Sequence, residues 1–108
     1  MAIERRRITI RANAPFTDRE VDAVIVGQRV AVHRGLAGHG WTISDPVTGL
    51  AYHWDGEATE TSMLRKARAF VRKFGTNPLR GMRMRGDKVI RKPPRADEMR
   101  EFFRSFNS

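Results

Sequence analysis

His33, His39 and His53, with Asp45 and Asp55, place five possible metal ligands within residues 33–55. Imidazole nitrogens and carboxylate oxygens are donors that zinc or a nuclease-type cation takes, and the chemistry would be hydrolytic. The spacing argues against it. No two of these residues sit at the close, fixed spacing of a known site, and there is no His-Glu-x-x-His. The chain has no cysteine, so it lacks thiolate metal ligands, disulfides and cysteine nucleophiles. Ser44 and Ser62 belong to no recognisable nucleophile elbow or triad order. The glycines of "GLAGHG", at 35, 38 and 40, depart from the phosphate-cradling order and lead into a strand instead of a helix N-terminus. Arg85-Gly86-Asp87 reads as a turn. The expectation is a protein that is not an enzyme, with no metal and no cofactor.

The cations carry more information. Lys and Arg number 21 against 12 Asp and Glu, a net charge of +9. That balance suits a partner with regularly spaced phosphates, because each neutralised phosphate releases counterions. Seventeen of the 21 are arginine, a bias that GC-rich coding also produces. Position sharpens the point. Residues 1–56 carry seven basic and six acidic groups, whereas residues 57–108 carry fourteen and six. The second half should therefore form an electropositive face or arm.

The elements that position these groups follow from periodicity. In "EATETSMLRKARAFVRKFG", Thr61, Leu64, Ala67, Phe70, Val71 and Phe74 recur at three- and four-residue steps, which predicts an amphipathic helix over 57–74. Gly75 and Pro78 end it. Arg65, Arg68 and Arg72 fall opposite that stripe, with Lys66 and Lys73 beside them, as a basic ridge able to follow a phosphate backbone. Acids stand only at the helix ends, so i,i+4 ion pairs do not account for the cluster.

Upstream, "RRITIRA" alternates as a short strand. "TDREVDAVIVG" offers Thr17 and Glu20 at capping-box spacing, with Phe16 as a staple, and reads as a helix over 17–26; its β-branched cluster argues for a strand instead. "QRVAVHR" alternates with Val30 and Val32 inward and Arg29, Ala31 and His33 outward. "WTIS" and "LAYHW" follow as two strands across "DPVTG". In this antiparallel meander Trp41, Ile43, Tyr52 and Trp54 face the core, and Thr42, Ser44 and His53 face out.

Downstream, "NPLRGMRMRGDKVIRKPPR" holds seven basic residues, Arg80, Arg83 and Arg85 among them, against one acid. A basic hairpin and a disordered arm both fit. "ADEMREFFRSF" puts Ala96, Met99, Phe103 and Phe106 on one stripe of a terminal helix. Adjacent Phe102 and Phe103 cannot share that stripe, which raises a homodimer contact or a protein partner.

The pattern "GWTISDPVTGLAYHW" followed by "ETSMLRKARAFVRKF" resembles the small DNA-binding domains of the AP2 and integrase arm-binding type. The likeness spans about residues 28–75. It rests on Trp-x-Ile, a Thr-Gly turn, an aromatic strand and an alanine-containing helix. In that family the sheet lies in the DNA major groove, so the resemblance implies contacts from Arg29, Ala31, His33, Thr42, Ser44, Ala51 and His53.

The sequence thus predicts an α+β fold: a three- to four-stranded antiparallel sheet packed by one long amphipathic helix, plus a short C-terminal helix. Residues 1–75 form the core, 76–94 a basic arm or hairpin, and 95–108 a helix on the core or a partner. The expected partner is nucleic acid, DNA before RNA, and the rival is an acidic protein surface. No apolar run reaches membrane-spanning length, no signal peptide is evident, and a cytoplasmic location is expected.

Overall fold

The computed structural model describes residues 4–11, 18–35, 40–52, 57, 59–86 and 88–106. Four strands, β1 (Glu4–Ile10), β2 (Arg19–Gly27), β3 (Val30–Arg34) and β4 (Trp41–Ser44), form an antiparallel sheet in chain order. Helix α1 (Glu60–Phe74) covers one face. A two-stranded ribbon, β5 (Arg83–Arg85) and β6 (Lys88–Arg91), then leads to helix α2 (Ala96–Phe106).

The fold is the α+β arrangement that the periodicities predict, with one element corrected. Residues expected as a helix over 17–26 form strand β2. Val21, Val24, Ile25 and Val26 are β-branched, and this strand is paired on both edges, with β1 and with β3. Two ladders outweigh a local capping signal. Phe16 and Thr17 lie outside the described residues.

Alternation along the sheet defines two faces. Val24, Val30, Val32 and Ile43 meet Met63, Leu64, Ala67 and Phe70 of α1 and Met99 and Phe103 of α2 in the main core. Phe70 is the hub: Tyr52, Phe74, Phe102 and Phe103 stand 5.0–5.8 Å from its ring centroid. Phe102 also meets Phe74 edge-on at 5.7 Å, so both adjacent phenylalanines have partners within the chain.

The second face is not wet. Ile8, Ile10, Ala23 and Ala31 form a smaller buried cluster there. The cause is curling, because the exit of β1 meets the turn that follows β4 at the other edge. The Arg11 amide donates to the Gly49 carbonyl at 2.9 Å, and Arg11 Nε donates to the Thr48 carbonyl at 2.8 Å. Gly49 has φ 79°, and a Cβ there would lie 2.6 Å from the Thr9 carbonyl oxygen. Only glycine fits this closure.

Of the strand expected over "LAYHW", residues 50–52 are described, and they pair irregularly. Ala51 makes an isolated bridge to Ser44, and the Tyr52 amide donates to the Ile43 carbonyl at 2.9 Å. His53 and Trp54 lie outside the described residues. No helix among the described residues is long and apolar enough to cross a membrane.

Candidate functional site

Helix α1 begins one turn later than the sequence suggests. Thr59 caps it by accepting from the Ser62 amide at 3.1 Å, which satisfies a free donor of the first turn. Glu57 stays outside and forms a β-bridge with Trp41. From that start, Met63, Leu64, Ala67 and Phe70 turn to the sheet, and Arg65, Arg68 and Arg72 stand exposed on the opposite side. None of the three has a carboxylate partner among the described residues.

Lys66 departs from the ridge. It lies at the flank of the buried stripe, 7% exposed, with its ammonium 2.8 Å from the Glu57 carboxylate. Lys73 is exposed, and its ammonium sits 5.6 and 5.8 Å from the ring centroids of Phe74 and Phe102. Those rings hold the charge beside the α1–α2 seam, where it lines a shallow hollow with Asp97, Glu98 and Glu101 of α2.

The ribbon supplies the second group of cations, and its register is unusual. Arg83 pairs across the strands with Arg91, Met84 with Val89, and Arg85 with Lys88. Directly opposed residues share a face, so four cations gather on one side of the ribbon. Arg83, Arg85, Lys88 and Arg91 are all exposed. Gly86, at φ 59°, makes the turn. Arg80 is exposed at the foot of the ribbon, lining a cleft of about 640 Å³ with Asn77, Pro94 and Arg95.

Other arginines are neutralised. Arg5, Arg6, Arg7, Arg95, Arg100 and Arg104 each stand 2.6–3.9 Å from a carboxylate. Among the described residues, charge without a carboxylate partner stands on the outer side of α1 and on the ribbon, and also at Arg11, Arg19 and Arg34 of the sheet.

The sheet residues named from the sequence occupy different surroundings. Arg29 binds Asp45 with two hydrogen bonds of 2.7 Å, and Asp45 is fully buried. Burial alone would push the Asp45 carboxyl up. The Arg29 guanidinium, the Thr48 hydroxyl and the Val47 amide reverse this and hold it below the usual carboxylate range. The Tyr52 hydroxyl donates to the Arg29 carbonyl, and burial followed by the Asp45 charge raises its pKa. Arg29 thus joins the Asp45 turn, through its guanidinium, to Tyr52, through its carbonyl.

His33, expected to face solvent, is 2% exposed, and Ser44 beside it is equally buried. The curling of the sheet encloses the face that alternation alone would leave wet. His33 Nδ1 lies 2.7 Å from the Arg34 carbonyl, which can only accept, so Nδ1 carries the proton. Nε2 then accepts from the Ser44 hydroxyl at 2.7 Å. This neutral tautomer uses both nitrogens, and burial lowers the pKa of the ring. Ala31 is fully buried, and Thr42 and Ala51 are half-buried. Among the described residues no three His, Asp or Glu side chains converge on a common point. His39, His53 and Asp55 lie outside those residues.

Comparison of the chain with protein-family models, with curated proteins and with solved structures finds no match.

Proposed function

We propose that this protein binds nucleic acid, DNA before RNA, and acts as a small regulatory or accessory factor without catalysing a reaction. One observation carries the reading: the segregation of cations into neutralised and un-neutralised sets. Arg65, Arg68 and Arg72 on α1, and Arg83 and Arg85 on β5, have no carboxylate partner among the described residues, while the arginines of β1 and α2 do. Exposed like charges repel one another, and a partner that brings its own regularly spaced negative charge removes that cost. Arg80 and Lys73 extend the same surface. Arg29, His33 and Lys66 serve the fold, since each is held by buried or half-buried partners.

The rival reading, a module for an acidic protein surface, draws on Val89 and Ile90, 42% and 53% exposed beside the same cations. Of the further anchors that reading would use, Met82, Met84, Phe102, Phe103 and Phe106, Phe103 is buried and Phe102 packs on Phe74, while Met82 and Met84 are half-buried.

Purification at low salt separates the two. The expected result is co-purifying nucleic acid, seen in the ultraviolet absorbance ratio, that a high-salt wash strips away. A protein free of nucleic acid at low salt that retains an acidic protein through the wash would favour the rival.

A further inference from the structure

The β5–β6 ribbon is poorly explained by folding alone. An isolated two-stranded hairpin is marginal in water, and like charges placed directly opposite weaken it further. Here both flanking pairs are like-charged, Arg83 with Arg91 and Arg85 with Lys88. Neither helix offers close support: α1 packs on β2, β3 and β4, α2 packs on α1, and β5 and β6 pack chiefly on each other. Val89 and Ile90 on β6 remain largely exposed.

We infer that the ribbon is a groove-reading arm that lies in the major groove of B-form duplex DNA, with Arg83, Arg85, Lys88 and Arg91 facing the duplex. The inference rests on the nucleic-acid reading above. Its two strands, about 4.8 Å apart, are narrow enough for a groove about 12 Å wide. Cations on both strands then reach both phosphate walls, and guanidinium groups reach the acceptors of guanine. The duplex supplies negative charge to a ribbon whose described residues carry four cations and no acid. The deep, narrow major groove of an RNA duplex excludes the same element. The arm therefore distinguishes the two duplexes by shape.

The test compares the intact chain with a variant carrying Arg83→Thr, Arg85→Thr, Lys88→Thr and Arg91→Thr, by fluorescence anisotropy. The probes are a DNA duplex, an RNA duplex of the same sequence, the DNA duplex methylated at guanine N7, and vesicles of phosphatidylserine. The wild-type protein should bind the DNA duplex at least about tenfold more tightly than the RNA duplex, and N7 methylation, which fills the major groove, should weaken it. The variant should lose affinity for DNA and its sensitivity to methylation. Its thermal midpoint should equal or exceed that of the wild type, because the opposed charges are gone, so the loss cannot be ascribed to unfolding. DNA binding that survives the four substitutions and ignores methylation would overturn the inference while leaving nucleic-acid binding through α1 intact. Equal affinity for the RNA duplex, or ribbon-dependent capture by the vesicles in place of DNA, would also overturn it. A wild-type chain that binds neither duplex would defeat the underlying reading as well.

Discussion

Arg83 stands directly across the β5–β6 ribbon from Arg91. A sheet selected for stability alone would set an acid at one of these positions, since opposite charges in directly facing sites stabilise and like charges do the reverse. The pairing therefore predicts a trade. Arg91→Glu should raise thermal stability by about 0.2–1 kcal/mol and weaken DNA binding. Thermal melts and anisotropy titrations on the same preparation check both halves.

Neighbouring residues on α1 should behave oppositely. Arg65 is exposed, whereas Lys66 is 7% exposed and faces Glu57 at 2.8 Å. Arg65→Ala should leave stability within about 0.5 kcal/mol, as exposed substitutions do. It should also flatten the logarithmic salt slope of DNA binding by about 0.9, the share of one phosphate contact. Lys66→Ala removes the cation that faces the half-buried Glu57 carboxylate and should cost about 1–3 kcal/mol, with the salt slope unchanged. Denaturant titration and binding at several salt concentrations separate the two roles.

The Arg29–Asp45 pair predicts acid sensitivity. The folded-state pKa of Asp45 lies below its ordinary value. Its stabilisation is therefore present above the ordinary carboxylate range and is lost as pH falls through that range toward the folded value. Asp45→Ala should destabilise the protein by about 3–5 kcal/mol, because it leaves the half-buried Arg29 guanidinium without its anion. Chemical denaturation at neutral and acidic pH should show the variant losing less than the wild type on acidification.

His33 governs a higher pH window. Its pKa is lowered from the ordinary 6.5 by burial. Below 6.5 the unfolded chain takes up the proton before the folded one does, so stability falls as pH drops through 6.5 toward the folded-state value. His33→Gln removes that ionisation. Its stability should depend less on pH across this window than that of the wild type, as measured by the shift in denaturation midpoint.

Elements whose signal is local were legible in the sequence. The stripe Thr61, Leu64, Ala67, Phe70, Val71 and Phe74 marked α1, and Met99 with Phe103 marked α2, because an apolar face of period 3.6 needs no knowledge of its partner; within α1, Thr61 is exposed and Met63, outside the stripe, is buried in its place. β2 was misread because Thr17 and Glu20 imitate a helix start, although the β-branched run of Val21, Val24, Ile25 and Val26 was the local sign of a strand that pairs with its chain neighbours β1 and β3. His33 and Ser44 were placed on the correct face, but that face is buried by the junction of Arg11 with Gly49, which no local pattern announces. Arg29 and Asp45 are sixteen residues apart and meet only through the fold. Lys66 sat in a run of cations; its position at the edge of the apolar stripe was the available sign that it would turn inward. In the basic arm, a hairpin and a disordered arm both fitted the sequence, and the structure has the hairpin. The facing of Arg83 with Arg91 depends on an irregularity between Arg83 and Met84 that composition does not encode.

The most direct test of nucleic-acid binding is the affinity of the intact chain for a DNA duplex as a function of salt, beside Arg65→Ala/Arg68→Ala/Arg72→Ala. The wild-type affinity should fall along a steep logarithmic line between about 50 and 200 mM salt, and the triple variant should show a slope shallower by about 2.7, three contacts' worth. An affinity indifferent to salt, or a triple variant that binds as the wild type does at every salt concentration, would contradict it.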